Sequence, residues 1–192
     1  MHREPGHSVL VVPVPALEAF VRSRWEHYAP ELVSDDAGFT HAHITALAPY
    51  LTRPSAADLD LVAAIAADTP AFDFGLGEVA EFPDGLIHLE PDPLTPFATL
   101  TGRLWEAFPQ CPPYAGRYDV VTPHLTLDRR SGSVTPESTR ALLGDAVPVT
   151  CRADRLELQW YETGRCHVMV SWPLGVVGSA QQSPALDAFR SI

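Results

Sequence analysis

The sequence predicts an α+β fold with two similar lobes facing each other across a cleft. Three observations lead there. A strand-like segment carrying His-x-Thr occurs twice, near residues 40 and 120. Each copy is followed by a helix and then by two strands. No long flexible linker separates the copies, so residues 1–175 read as one domain and 176–192 as a C-terminal tail.

The elements follow in order. Ser8 to Val14 is an aliphatic run of strand length. Pro15 opens a helical segment over Ala16 to Tyr28, where a proline in the first turn loses no hydrogen bond. Phe39 to Leu51 reads as a strand. Ser55 caps a helix to about Ala67, with Leu59, Val62, Ala63 and Ala66 on one face. Phe72 to Phe82 and Leu86 to Glu90 read as strands joined by the turn signal Pro83-Asp84-Gly85. Thr95 to Phe108 reads as a helix. Tyr118 to Asp128 is then a strand and Pro136 to Leu143 a short helix. Thr150 to Tyr161 and Cys166 to Trp172 form a hairpin around Glu162-Thr163-Gly164-Arg165. Ala185 to Phe189 in the tail is a short apolar docking segment or a mobile end.

Composition narrows the function. Net charge is -11, and all 13 basic residues are arginines. Long duplex nucleic acid meets a repulsive average field, so an anionic substrate has to be small or held by a local cationic pocket. No apolar run is long enough to span a bilayer and the first residues lack a signal-peptide shape, which places the chain in the cytoplasm, away from membranes. Cys111, Cys151 and Cys166 are odd in number and widely spaced, and read as free thiols.

The chemistry sits in His41-Ala42-His43-Ile44-Thr45 and Thr122-Pro123-His124-Leu125-Thr126. Alternate strand residues share a face. His41, His43 and Thr45 therefore point one way, as do Thr122, His124, Thr126 and Asp128, with the residues between them apolar or small. Two histidines in one cleft suit general acid-base catalysis. One neutral imidazole deprotonates water and one protonated imidazole feeds the leaving oxygen, which an ordinary pKa near 6.5 permits. Threonine hydroxyls suit the non-bridging oxygens, where transition-state charge concentrates. A zinc site of His41, His43 and His124 is the metal-dependent alternative, in which the threonines have no role. Arg129 is a candidate phosphate cation. Tyr50 and Trp160 are candidates for stacking on a base.

The two segments resemble the paired HxTx motifs of the 2H phosphoesterase superfamily, which includes 2'-5' RNA ligase-like proteins and RNA 2',3'-cyclic phosphodiesterases. The resemblance spans most of residues 8–174. It includes Pro49-Tyr50 after the first motif, Pro123 before the second histidine, and Arg129. Ala46 and Asp128 depart from the pattern. The resemblance implies a duplicated β-α-β-β-type domain with a pseudo-twofold axis and a central cleft between antiparallel sheets. It implies catalysis by His43 and His124, phosphate binding by Thr45 and Thr126, and no metal or cofactor. It also implies that His43 donates a proton and His124 accepts one. The expected reaction opens 2',3'-cyclic phosphates on RNA ends or small nucleotides, to 2'-phosphates, in a monomer. A non-catalytic nucleotide or phosphometabolite binding module on the same fold is the competing reading.

Overall fold

In a computed structural model the structure is described for residues 6–118, 120–176 and 181–182. Residues 185–189, where the docking segment was expected, lie outside the described residues.

The Val9-Leu10-Val11-Val12 run builds β1 (His7–Pro13), buried along all but its first residue. A strand apolar on both faces needs cover on both. Leu10 and Val12 enter the main core, and Val9 and Val11 enter a smaller cluster with Phe39, Tyr161, Cys166 and Val168. β2 (His43–Leu47) pairs with one edge of β1, and β7 (Arg155–Tyr161) with the other. β8 (His167–Pro173) continues outward from β7. The second lobe is β3 (Phe72–Glu81), β4 (Leu86–Asp92), β5 (Leu125–Arg129) and β6 (Val149–Ala153). A two-residue β9 (Gln181–Gln182) lies beyond β8.

The sheet order is β6-β3-β4-β5-β2-β1-β7-β8-β9, antiparallel throughout. The lobes join at one residue pair, Ile44 with Leu125. Outward from that join the strands run β2, β1, β7, β8 on one side and β5, β4, β3, β6 on the other. This is the pseudo-twofold arrangement, with the two expected sheets fused into one curled sheet at the motif strands.

The lobes are not, however, successive halves of the chain. β2 lies in one lobe, and the strands that follow it, β3 and β4, lie in the other. The expected strand over 150–161 breaks at Asp154, so that β6 pairs with β3 while β7 pairs with β1. Chain exchange between lobes explains why no linker separates the copies.

The helices are α1 (Glu18–Tyr28), α2 (Ala56–Ala67), α3 (Thr95–Ala107) and α4 (Pro136–Leu143), of which α2 and α4 start at side-chain caps. Ser55 and Asp58 close a capping box on α2, and Thr135 and Ser138 close one on α4. Pro15 begins a 3-10 turn that leads into α1. On α3, Phe97, Leu100, Thr101 and Leu104 form the buried stripe expected at helical spacing. Gly85 takes a φ of +86° in the β3–β4 turn, a conformation that favours glycine. All three cysteines are free.

Candidate active site

The single β2–β5 pair sets the geometry of the cleft. Antiparallel pairing of Ile44 with Leu125 turns both of these buried residues to the core. Their neighbours share the opposite face, so the register carries His43 toward Thr126 and Thr45 toward His124. Each histidine thus meets the threonine of the other motif. Two cavities flank the join. One, of about 410 Å³, is lined by His43 and Thr126 together with Arg24, Trp25, Tyr28, Asp128 and others. The second, of about 450 Å³, is lined by His124, Phe82, Tyr114, Tyr118, Val120 and others. Leu86 and Arg129 line both.

Both motif histidines are oriented alike. His43 Nδ1 donates to the carbonyl of His41 at 2.7 Å, and His124 Nδ1 donates to that of Thr122 at 2.8 Å. This bond fixes the tautomer and leaves Nε2 as the free nitrogen of each ring. Burial pushes His43 down to about 4, helped by the nearby charges of His41 and His124 and only partly opposed by the bond to the His41 carbonyl. Burial also lowers His124, with His88 adding to the effect. That His124 acts on His43 puts the two rings in one electrostatic unit.

The supports of the two rings differ. His43 lies beside Tyr161, whose hydroxyl is 3.5 Å from Nδ1 and donates to Gln159 Oε1 at 2.8 Å. His124 is edge-on to Phe82 and to His88, and Phe82 and His88 stack at 3.8 Å. Tyr114 lies nearly parallel to the His124 ring, 6.2 Å away, with Thr45 close to its phenol. Its backbone N donates to the Ala48 carbonyl, just past the first motif. Tyr114 therefore touches both motifs.

His41 does not share the exposed face expected of it. It precedes β2 and is buried; Nδ1 bonds Glu18 Oε1 at 2.7 Å, and Nε2 accepts from Ser34 N at 3.2 Å. With both ring nitrogens engaged, His41 has no lone pair for zinc, and the three-histidine site is not formed. Among the described residues no cluster of three or more His, Cys, Asp or Glu is placed to hold a metal. Glu18, which burial would raise, is instead held below the usual carboxylate range by its bonds from His41 and Ala42. The result is a rigid bracket behind His43.

Asp128 also departs from simple alternation. Thr126 faces His88, but Asp128 faces Ile87, so Leu127 is an extra residue on β5. The bulge turns Asp128 into the interior against Arg24 and Thr139, and leaves Arg129 outside. Arg129 donates to the Asp84 carbonyl at 3.0 Å, with its side chain 62% exposed. Tyr50 is a core residue packed edge-on against Phe108, its hydroxyl without a partner among the described residues. Trp160 covers Gly6 and bonds Glu162, outside the linings of both cavities. Neither stacking candidate lines either of these two cavities. The aromatic walls come from Trp25 and Tyr28 on α1 and from Phe82, Tyr114 and Tyr118. These residues carry no local motif, and only the tertiary fold gathers them. His167 bonds the Arg165 carbonyl at a hairpin and lines neither cavity.

The sequence model of the family described as the 2'-5' RNA ligase superfamily matches residues 13–165. No curated protein matches the chain. Among solved structures, Escherichia coli LigT complexed with 3'-AMP is similar at 18% identity and a TM-score of 0.56, over 90% of this chain and 100% of that one. TT0787 of Thermus thermophilus is similar at 14% identity and a TM-score of 0.56, again over 90% and 100%. LigT complexed with phosphate gives 19% identity and a TM-score of 0.51, over 90% and 99%. At these identities the structures speak for the fold.

Proposed function

The chain belongs to the 2'-5' RNA ligase superfamily of 2H phosphoesterases, and from that membership we propose that it opens 2',3'-cyclic phosphates of RNA ends or small nucleotides by metal-independent acid-base catalysis. The observation that carries the reading is the crossed register at the lobe join, which sets each motif histidine against the threonine of the other motif. A phosphoryl group seated there has an imidazole on either side, the layout of an in-line displacement. Thr45 and Thr126 donate to its non-bridging oxygens. The free Nε2 of one histidine takes the proton of water, and that of the other returns a proton to the departing ribose oxygen. LigT structures hold 3'-AMP and phosphate, and we extend such small phosphorylated ligands to this cleft.

The roles follow from burial. An acceptor has to arrive neutral, and His43 is the ring pushed to about 4. We therefore assign His43 as acceptor and His124 as donor for hydrolysis, the reverse of the order that the motif resemblance implies.

The test is turnover of 2',3'-cyclic nucleotides and of a cyclic-phosphate-ended oligonucleotide, on metal-stripped protein with chelator present, with product regiochemistry read. The expected product is the 2'-phosphate. His43→Ala and His124→Ala each lower turnover by about 100-fold or more. Wild-type rates in either variant, or activity that vanishes with chelator and returns with zinc, refute the mechanism. Binding of these nucleotides without turnover would mark the chain as a binding module.

A further inference from the structure

Arg24 stands on α1 at the wall of the His43 cavity. Its side chain is 18% exposed, and that of its partner Asp128 is 0% exposed. Nε donates to Asp128 Oδ1 at 2.8 Å, and Nη2 donates to the Tyr28 hydroxyl at 2.7 Å. The other oxygen of Asp128 accepts from Thr139 on α4 at 2.9 Å. Nη2 also lies 2.7 Å from Asp128 Oδ1, so β5 and α1 fix the guanidinium directly, and α4 holds Asp128 through Thr139. A guanidinium carries five N–H donors in a rigid fork, and Nη1 makes no hydrogen bond among the described residues.

The surroundings define what those spare donors can meet. The chain carries a net charge of -11, so an anion is drawn in only by a local cation. Arg129, the other cation on this wall, is exposed and committed to the Asp84 turn. Beside His43 and Thr126, the cavity is lined by Trp25, Tyr28 and Ala29 at the C-terminal end of α1. A cyclic phosphate held between His43, His124 and the two threonines leaves that α1 end for another part of the same substrate.

We propose that the α1 end of this cavity is a subsite for a second phosphate ester, carried on the nucleotide whose cyclic phosphate is opened, with Arg24 as the group that holds it and Asp128 and Tyr28 as its positioning residues. The inference rests on the reading of the histidine pair as a cyclic phosphodiesterase site. Two sources offer the same chemistry: the 5'-phosphate of a mononucleotide, and the phosphodiester that links the terminal nucleotide to the preceding one in an RNA chain.

The test compares three substrates on the full chain: adenosine 2',3'-cyclic phosphate, its 5'-phosphorylated form, and the dinucleotide ApA ending in the cyclic phosphate. The wild-type kcat/KM for at least one of the two charged forms should exceed that for the first by roughly 10- to 100-fold, as one charged hydrogen-bonded contact supplies. Preference for the 5'-phosphate alone points to mononucleotides, and preference for the dinucleotide points to RNA ends. The ratio should collapse toward one in Arg24→Gln/Asp128→Asn, which avoids a buried unpaired carboxylate, and should shrink in Arg24→Lys, which keeps charge but loses the fork. A wild-type ratio near one for both forms, or a ratio unchanged in folded variants, overturns the subsite. If no cyclic phosphate is turned over, the proposed function fails, and the subsite is judged by calorimetry with adenosine 3',5'-bisphosphate and 3'-AMP. Tighter binding of the bisphosphate, lost in the variants, upholds it, and any other result overturns it.

Discussion

His43 carries a large electrostatic cost, because burial strips solvent from its charged form and holds it down to about 4. His124 is lowered from the usual histidine value by the same cause. kcat/KM reports the ionisations of the free enzyme. An acceptor His43 is lost as pH falls through its depressed pKa, and a donor His124 is lost as pH rises through its own. The kcat/KM profile on a 2',3'-cyclic nucleotide should therefore be a bell with its maximum between about 4 and 6.5. A maximum above pH 7 contradicts the depression of the pair by burial, whichever ring is the acceptor. Leaving-group chemistry separates the roles more sharply. A nitrophenyl phosphodiester departs without needing a proton, so His124→Ala should recover most of its deficit on that substrate and His43→Ala should not. The opposite pattern exchanges the roles. These four motif residues were legible in the sequence, since His-x-Thr on a strand declares its own face. Arg24 was not, because a lone arginine on a helix looks the same whether it meets solvent or a buried Asp128 brought from 104 residues away.

At the scale of elements, the chain holds backbone strain where it joins the two motifs. Tyr114 and Ala115 are consecutive non-glycine residues at φ 51° and 56°, the left-handed region. The turn they make hangs Tyr114 between Thr45 and His124. Ala115 is exposed, so its methyl gains nothing from packing. Left-handed alanine costs about 1–2 kcal/mol, and glycine returns about 0.5–1 of that in backbone entropy. Ala115→Gly should then stabilise the fold by roughly 0.5–1 kcal/mol, raising the melting temperature by about 1–4 °C. A drop in melting temperature would mean that the turn needs the alanine for rigidity. The start of α2 was readable because capping is local: Ser55 announced it. The β6–β7 break and the Leu127 bulge were not, since pairing partners far along the chain decide them. Nothing in residues 149–161 taken alone tells that Val149–Ala153 belongs beside β3.

At the scale of the whole molecule, the repeat predicted two lobes correctly, and chain exchange between them makes the site a property of the entire fold. The histidines of the join should therefore report on global stability. A histidine whose folded pKa is depressed binds fewer protons folded than unfolded, so its contribution is present above pH 6.5 and is lost as pH falls toward 4. His124 acts in the same direction. The opposing whole-molecule effect is relief of repulsion in a chain of net charge -11 as carboxylates protonate. That relief falls in the same window, because the sequence pI is about 5.0, so the contribution of His43 is read as the difference between the native chain and a variant without the imidazole. His43 loses about 1–2 kcal/mol over that window after a discount for the solvent that still reaches its ring. Between pH 7 and 4.5 the urea midpoint of the native chain should therefore drop relative to that of such a variant. In His43→Asn, which fills the same place without titrating, that drop should be missing, leaving the slope that His124 and the other titrating groups set. An equal slope in His43→Asn would assign the loss to other groups, and the acceptor role of His43 would then lose its electrostatic basis.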